Sequence, residues 1–383
     1  MAGDECARAG VEESSSGGRR RAGTGVEQEV LSTMTDSNQA AGTPSRRRQR
    51  FPGISSRAWE HPADRSALVA LRKLTGFDDI LKKLAGLVSE RSVRLMFLAT
   101  AVKASERQYP EIYNMVRDAA YVLDLEKVPD LYVTQDPNVN AMCIGMDAPV
   151  IVVTTGLVEL MDEEELRAVI GHEVGHAMSG HAVYRTMLLI LTNLATRVGW
   201  IPLGNLAIMA LVTALKEWFR KAELSCDRAG LLAGQDPQAS MRGLMKLAGG
   251  HNLGEMNVDA FLEQAAEYDK AGDLRDSVLK LLQVLPQTHP FAVVRVAKLK
   301  QWSESEEYRS ILAGAYPRRE DDPDATVSEQ WRAAADSYGK SIKESKDPLF
   351  SLLRDIADGA GSVGGKLRDT FNGAKSGAKS EAE

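Results

Sequence analysis

The sequence predicts an α+β fold, mainly helical, with a small β-sheet beside the helix that carries His172 and His176. Three observations lead there. Apolar residues recur at helical spacing after Trp59, as in Leu68, Leu71 and Leu74, then Ile80, Leu81, Leu84, Leu87 and Val88, with Tyr109-Pro110 as punctuation. Between Pro129 and Thr155 the pattern shortens to the β-rich runs LYVTQ, NAMCIGM and PVIVVTT, parted by Asp-Pro and Asp-Ala turn signals. Asp162 followed by Glu165 then opens a helix of the capping-box kind, whose apolar face runs Leu166, Val169, Ile170, Val174 and Met178.

Around that centre the chain divides into three parts. Residues 1–57 are rich in Gly, Ser, Arg and Glu with few large apolar side chains, and are expected to form a disordered tail. Residues 58–317 are expected to fold as one domain, and 318–383 to be an acidic, then Gly-, Ser- and Lys-rich tail, mostly disordered. The N-terminus has no apolar stretch of a secretory signal, and Met34 offers a second start. The basic clusters Arg19–Arg21 and Arg46–Arg50 read as solvated tail. A net charge of −6 argues against a specific nucleic-acid partner. Cys6, Cys143 and Cys226 lack CxxC spacing and read as free thiols of a reducing, cytoplasmic setting.

Residues 187–215 are the most apolar stretch, but Arg197 splits it and Gly199, Pro202, Gly204 and Asn205 break its second half. A buried hairpin is the favoured reading. Membrane contact through 187–215, or through the apolar island at 348–356, stays open as the other.

The chemistry is concentrated in GHEVGHAMSGH. His172 and His176 are four residues apart on a helix, so both imidazoles project from one face and can reach a single ion. Glu173 stands next to the first of them, where a carboxylate can take a proton from a water activated by the metal. A zinc site needs a third ligand. Because His61, His181, His251 and His289 repeat no ligand spacing, a carboxylate comes into question. In RKAELSCDRAG, Glu223 and Asp227 share a helix face, as a ligand and a carboxylate holding the spare N–H of a ligand histidine would. An exposed face pairing with Arg220 and Arg228 fits that spacing equally well.

Taken together, these residues resemble peptidase family M48, the group of the HtpX-type heat-shock proteases and the CAAX prenyl endopeptidases. The matching motifs are HEVGH at 172–176; Arg220, Glu223 and Asp227; Asn140-Ala141 with Gly145; and Thr288-His289-Pro290 followed by Arg295. The resemblance implies a gluzincin-type zinc metalloendopeptidase with one zinc per chain, held by His172, His176 and Glu223, with Glu173 as general base. It further implies that Asp227, Arg220 and Arg295 support the ligands, that His289 stabilises the oxyanion, and that Asn140, Ala141 and Met142 bind substrate along a cleft edge. The partner implied is a polypeptide, unfolded or misfolded protein included. HtpX-like members carry membrane spans ahead of the metal helix, whereas residues 58–125 hold no apolar run approaching twenty residues. The rival reading is an inactive, zinc-stapled scaffold or chaperone-like binder; retention of Glu173, which ligates nothing in a structural site, favours catalysis.

Overall fold

A computed structural model describes residues 48–72, 89–197, 202–270 and 291–322. It is mainly helical with a small sheet, as expected. The helices are Pro62–Arg72 (α1), Glu90–Thr100 (α2), Pro110–Val122 (α3), Thr155–Leu160 (α4), Glu163–Met178 (α5), His181–Arg197 (α6), Pro202–Gly234 (α7), Pro237–Gly249 (α8), Val258–Lys270 (α9), Ala292–Ser303 (α10) and Glu306–Leu312 (α11). The strands are Val102–Lys103 (β1), Asp130–Thr134 (β2), Ala141–Ile144 (β3) and Val150–Thr154 (β4).

The three β-rich runs become β2, β3 and β4, and β1 adds a short strand within the stretch expected to be wholly helical. Two residues are too few to show a period of two. The sheet runs β1-β2-β4-β3, with β2 and β4 parallel and the other pairs antiparallel. Every residue of β4 is buried, which is why its sequence is a continuous Val-Ile run rather than an alternating one. The edge strand β3 lies beside α5 and α6. Its start is tied down by Thr154, whose hydroxyl accepts from the Asn140 amide at 3.0 Å and donates to the Asn138 carbonyl at 2.7 Å.

Helix α5 is central. Its N-terminus carries the expected capping box between Asp162 and Glu165. Glu165 is fully buried, where Lys246 at 2.6 Å and Arg242 at 3.1 Å neutralise it and fasten α8 to the first turn. From Leu166 to His176 nearly every residue is buried, on the polar side as well as the apolar one. Helix α7 packs along it at backbone distance. A Cβ on Gly230 would sit 2.6 Å from the Ala168 carbonyl oxygen, and one on Gly175 would sit 2.5 Å from the Ala229 Cβ, so the crossing tolerates nothing larger.

The apolar stretch 187–215 is used for packing. Met187, Leu188, Leu191, Ile208, Leu211 and Leu215 form a second core with Ala67 and Leu71 of α1. Pro202 opens α7 at its first position, and Gly204 and Asn205 lie inside that helix rather than breaking it. No helix among the described residues is long and apolar enough to cross a membrane.

The expected tail boundaries fall inside packed structure. Phe51 and Ile54 are completely buried in the main core with Trp59, Ile112, Trp302 and Tyr308. The strand-like segment 53–55 pairs with 317–319: the Ser55 amide donates to the Pro317 carbonyl at 2.9 Å and the Arg319 amide to the Gly53 carbonyl at 2.8 Å. The domain therefore includes residues 48–57 and 318–322. Lone apolar residues in a polar stretch carry no periodicity, and their burial depends in part on residues as distant in sequence as Trp302, Tyr308 and Tyr316. Residues 1–47 and 323–383, with the island at 348–356, lie outside the described residues.

Two stability predictions follow from this packing. Phe51→Ala should destabilise the domain by about 3–5 kcal/mol, as expected for a buried Phe truncation; an unchanged denaturant midpoint would return the domain boundary to residue 57. Gly230→Ala should lower stability by about 1–3 kcal/mol because the methyl meets backbone rather than a mobile side chain. A melting temperature equal to that of wild type would show that the two helices can separate freely.

Candidate metal centre and active-site cleft

The close crossing of α5 and α7 sets donors from both helices around one point. His172 Nε2 and His176 Nε2 are 3.1 Å apart. Glu223 of α7 reaches them with one oxygen 3.5 Å from His172 Nε2 and the other 3.2 Å from His176 Nε2. An ion held tetrahedrally at about 2.0–2.2 Å keeps its ligands about 3.3–3.6 Å apart, so separations of 3.1, 3.2 and 3.5 Å come within about 0.2 Å of what one such ion needs. The chemistry of the set agrees: two imidazoles and a carboxylate are the donors a divalent metal of this size takes.

Charge around the point is balanced by buried partners of opposite sign. Asp227 lies one turn beyond Glu223, and its Oδ1 accepts from His172 Nδ1 at 3.0 Å, which leaves Nε2 facing the other donors. Arg295 of α10 grips Asp227 twice, through Nε at 2.9 Å and Nη2 at 2.6 Å, and its Nη1 is 3.6 Å from Glu223. Burial would raise the Asp227 carboxyl, but Arg295 and His172 hold it below the usual carboxylate range. Burial likewise opposes the Arg295 guanidinium, and Asp227 more than offsets that, raising its pKa. Burial would also lower His172, yet Asp227 and Glu223 raise it to about 9. The donor point thus favours positive charge, and a metal ion arriving there would displace a proton from His172. His176, lowered to about 4 by burial, keeps its lone pair at neutral pH.

Glu173 is buried and lines the cleft next to the donors, and its Oε2 has no hydrogen-bond partner among the described residues. The cleft has a volume of about 850 Å³. His172, Glu173, Glu223, Asp227 and Arg295 line it from one side, Asn140 and Ala141 from the edge of β3, and Leu231, Leu244, Met256, Phe261 and Tyr268 supply apolar wall.

Of the residues singled out from the sequence, the fold thus brings together His172, Glu173, His176, Glu223, Asp227, Arg295, Asn140 and Ala141. The exposed-face alternative for Glu223 and Asp227 is not what the fold builds, because both are buried. Arg220 lies against Glu217 one turn before Glu223, and Arg228 stacks over Trp302. Met142 is turned to the opposite face of the sheet, packed against the cluster of Tyr132, Ile144, Val150 and Val152. His289 lies outside the described residues, as does Cys6. Cys143 and Cys226 are free and buried.

The sequence reading passed over His181. Gly180, with φ at +69°, turns the chain after α5 so that His181, at the start of α6, folds back with Nδ1 3.2 Å from His176 Nδ1 and 3.4 Å from Cys226 Sγ. Burial pushes His181 down to about 3, so it is neutral. The five-residue step from His176 crosses a helix break, which hides the contact from any periodic pattern. The signal that could have found it is the third histidine of the GHEVGHAMSGH run itself.

Comparison with known proteins gives this geometry a family. The family model for peptidase family M48 matches residues 106–303. The Arabidopsis thaliana protein named plastoglobule-localized metallopeptidase 48, chloroplastic, is 38% identical over 270 residues, covering 69% of this chain and 78% of that protein. Protease HtpX homologs match over shorter stretches. The one from Streptococcus gordonii is 34% identical over 106 residues, 27% of this chain and 35% of its own length. That from Lactobacillus helveticus is 31% identical over 120 residues, 29% and 40% respectively. No solved structure gives a significant match. The family match over residues 106–303 takes in both crossing helices and the edge strand, and with it the chain belongs to peptidase family M48: it is a metalloprotease, acting on peptide or protein substrates.

Proposed function

We propose that the chain is a zinc-dependent endopeptidase that holds one zinc through His172, His176 and Glu223 and uses Glu173 as general base. The observation that supports this most is the convergence of three donor groups from two helices within 3.5 Å of one another, with the uncommitted Glu173 oxygen beside them. A bound zinc would polarise the scissile carbonyl and bring the pKa of a water to about 7.

The protein's own groups do the rest. Glu173 accepts the proton of the attacking water and returns it to the leaving amine. Asp227 fixes the His172 tautomer through Nδ1, and Arg295 keeps Asp227 ionised. The backbone of Ala141, on a strand whose outer edge no described strand pairs, receives the substrate as a further strand, while Asn140, whose amide and carbonyl are taken by Thr154, lines the cleft beside it. His289 is assigned by family resemblance to the developing oxyanion. The apolar wall of the cleft suits the apolar side chains that an unfolded segment of polypeptide exposes.

The plastoglobule location in the name of the Arabidopsis relative makes a lipid-associated setting the alternative to the cytoplasmic one. We expect the expressed chain to remain in the supernatant of a high-speed spin without detergent; salt-resistant sedimentation with membranes would favour the lipid surface.

Roles within the site separate by mutation. Glu173→Gln keeps shape and leaves the ligands alone, so zinc content and melting temperature should hold. Cleavage of an unfolded protein should fall by about 100-fold to 10,000-fold. Glu223→Gln should lower zinc occupancy and activity together, because an anionic ligand is lost. Wild-type turnover in Glu173→Gln would refute the base assignment. A wild-type chain that holds zinc yet cleaves nothing in a broad panel would favour the zinc-stapled scaffold.

A further inference from the structure

A histidine that binds metal through Nε2 carries its ring proton on Nδ1, and that proton needs an acceptor when buried. For His172 the acceptor is Asp227. For His176 the only ring or carboxylate neighbour recorded at Nδ1 among the described residues is His181, whose own Nδ1 lies 3.2 Å away. Two Nδ1 atoms at that separation make a hydrogen bond only if one is bare. His181 Nδ1 must then accept, which puts the His181 proton on Nε2. That atom faces Asp64 of α1 at 3.5 Å. The same Asp64 oxygen accepts from the Ser225 hydroxyl at 2.6 Å, and Ser225 in turn accepts from the His61 amide at 2.9 Å. His176, His181, Asp64 and Ser225 are all buried, and the Trp218 ring walls His181 at 5.3 Å between centroids.

We infer that His181 is a positioning residue for the metal centre: it fixes the tautomer and ring plane of His176, and Asp64 fixes His181. The inference rests on His176 being a ligand, as proposed above. It gives the two histidine ligands separate supports of different character. One is a direct carboxylate from α7, and the other is a neutral imidazole backed by a carboxylate from α1. Helix α1 thereby joins the metal site without lining the substrate cleft. Cys226 Sγ lies 3.4 Å from the same His181 nitrogen, so the contact is made within buried surroundings. A packing role alone would need only the volume of the ring. The proton assignment needs an acceptor at the δ position.

The test uses the full chain and reads zinc affinity by competition with a chromophoric chelator, beside the melting temperature of the metal-free protein. His181→Leu fills the space but offers no acceptor, and should weaken zinc binding by about 10-fold to 100-fold while the metal-free protein melts near wild type. His181→Asn places an amide oxygen near the position of Nδ1 and should recover most of that loss. Leu binding zinc like wild type, or Asn binding as weakly as Leu, would overturn the inference. If His181→Leu does not fold, Asp64→Asn, which keeps the volume, carries the test: weaker zinc binding is expected, and wild-type affinity would overturn it. A wild-type chain that takes up no zinc would overturn the metal-site reading and this inference with it. Wild-type zinc binding beside an unaffected Leu variant would overturn this inference alone.

Discussion

Everything at the centre of this protein depends on how closely α5 and α7 approach each other. His172, Glu173 and His176 come from one helix and Glu223 and Asp227 from the other, and no loop intervenes to adjust them. A carboxylate reaches only a few ångströms from its backbone. The donors can meet at 3.1–3.5 Å only because Gly175 and Gly230 let the two backbones touch. Helical geometry then sets the rest: i to i+4 spacing on each helix puts one carboxylate at the donor point and the next against the outer side of His172. The price is a buried helix with polar groups on several sides, and the surrounding elements are placed to satisfy them.

The layout of charge follows from that burial. Glu165, at the start of α5, is neutralised by Arg242 and Lys246 of α8. Asp227 is neutralised by Arg295 of α10 and in turn holds His172. Each pair joins α5 or α7 to a later helix, so the same contacts that settle buried charge also fix the walls of the cleft. Removing one partner of such a pair leaves the other uncompensated, which makes these contacts far more consequential than the exposed ion pairs elsewhere. The edge strand completes the arrangement from the other side, pinned by Thr154 at Asn140, the residue just before it.

Much of this was legible in the sequence because it follows from local patterns. The capping box of α5, the three longer strands, the metal-helix motif and the shared face of Glu223 and Asp227 are all statements about residues within a few positions of one another. What escaped is non-local or lies across a break. Phe51 and Ile54 pack against residues near the far end of the domain, so they look like strays in a polar tail. The contact of His181 with His176 depends on the turn at Gly180, and Asp64 meets it only through the packing of α1 on α6 and α7. Met142 could have been separated from Ala141 by alternation along β3, since neighbours on a strand face opposite ways. The charged face of Glu223 and Asp227 could be assigned to the interior only by the family likeness, because spacing on a helix does not say which way a face points.

The central claim is that this crossing builds a metal centre from two imidazoles and a carboxylate. X-ray absorption at the zinc edge of the full chain, purified without chelator, tests it most directly. The account predicts nitrogen and oxygen scatterers only, at about 2.0–2.2 Å, with the outer-shell signature of two imidazoles. A sulfur shell at about 2.3 Å would instead draw Cys226 into the coordination and contradict it, as would a protein that carries no zinc.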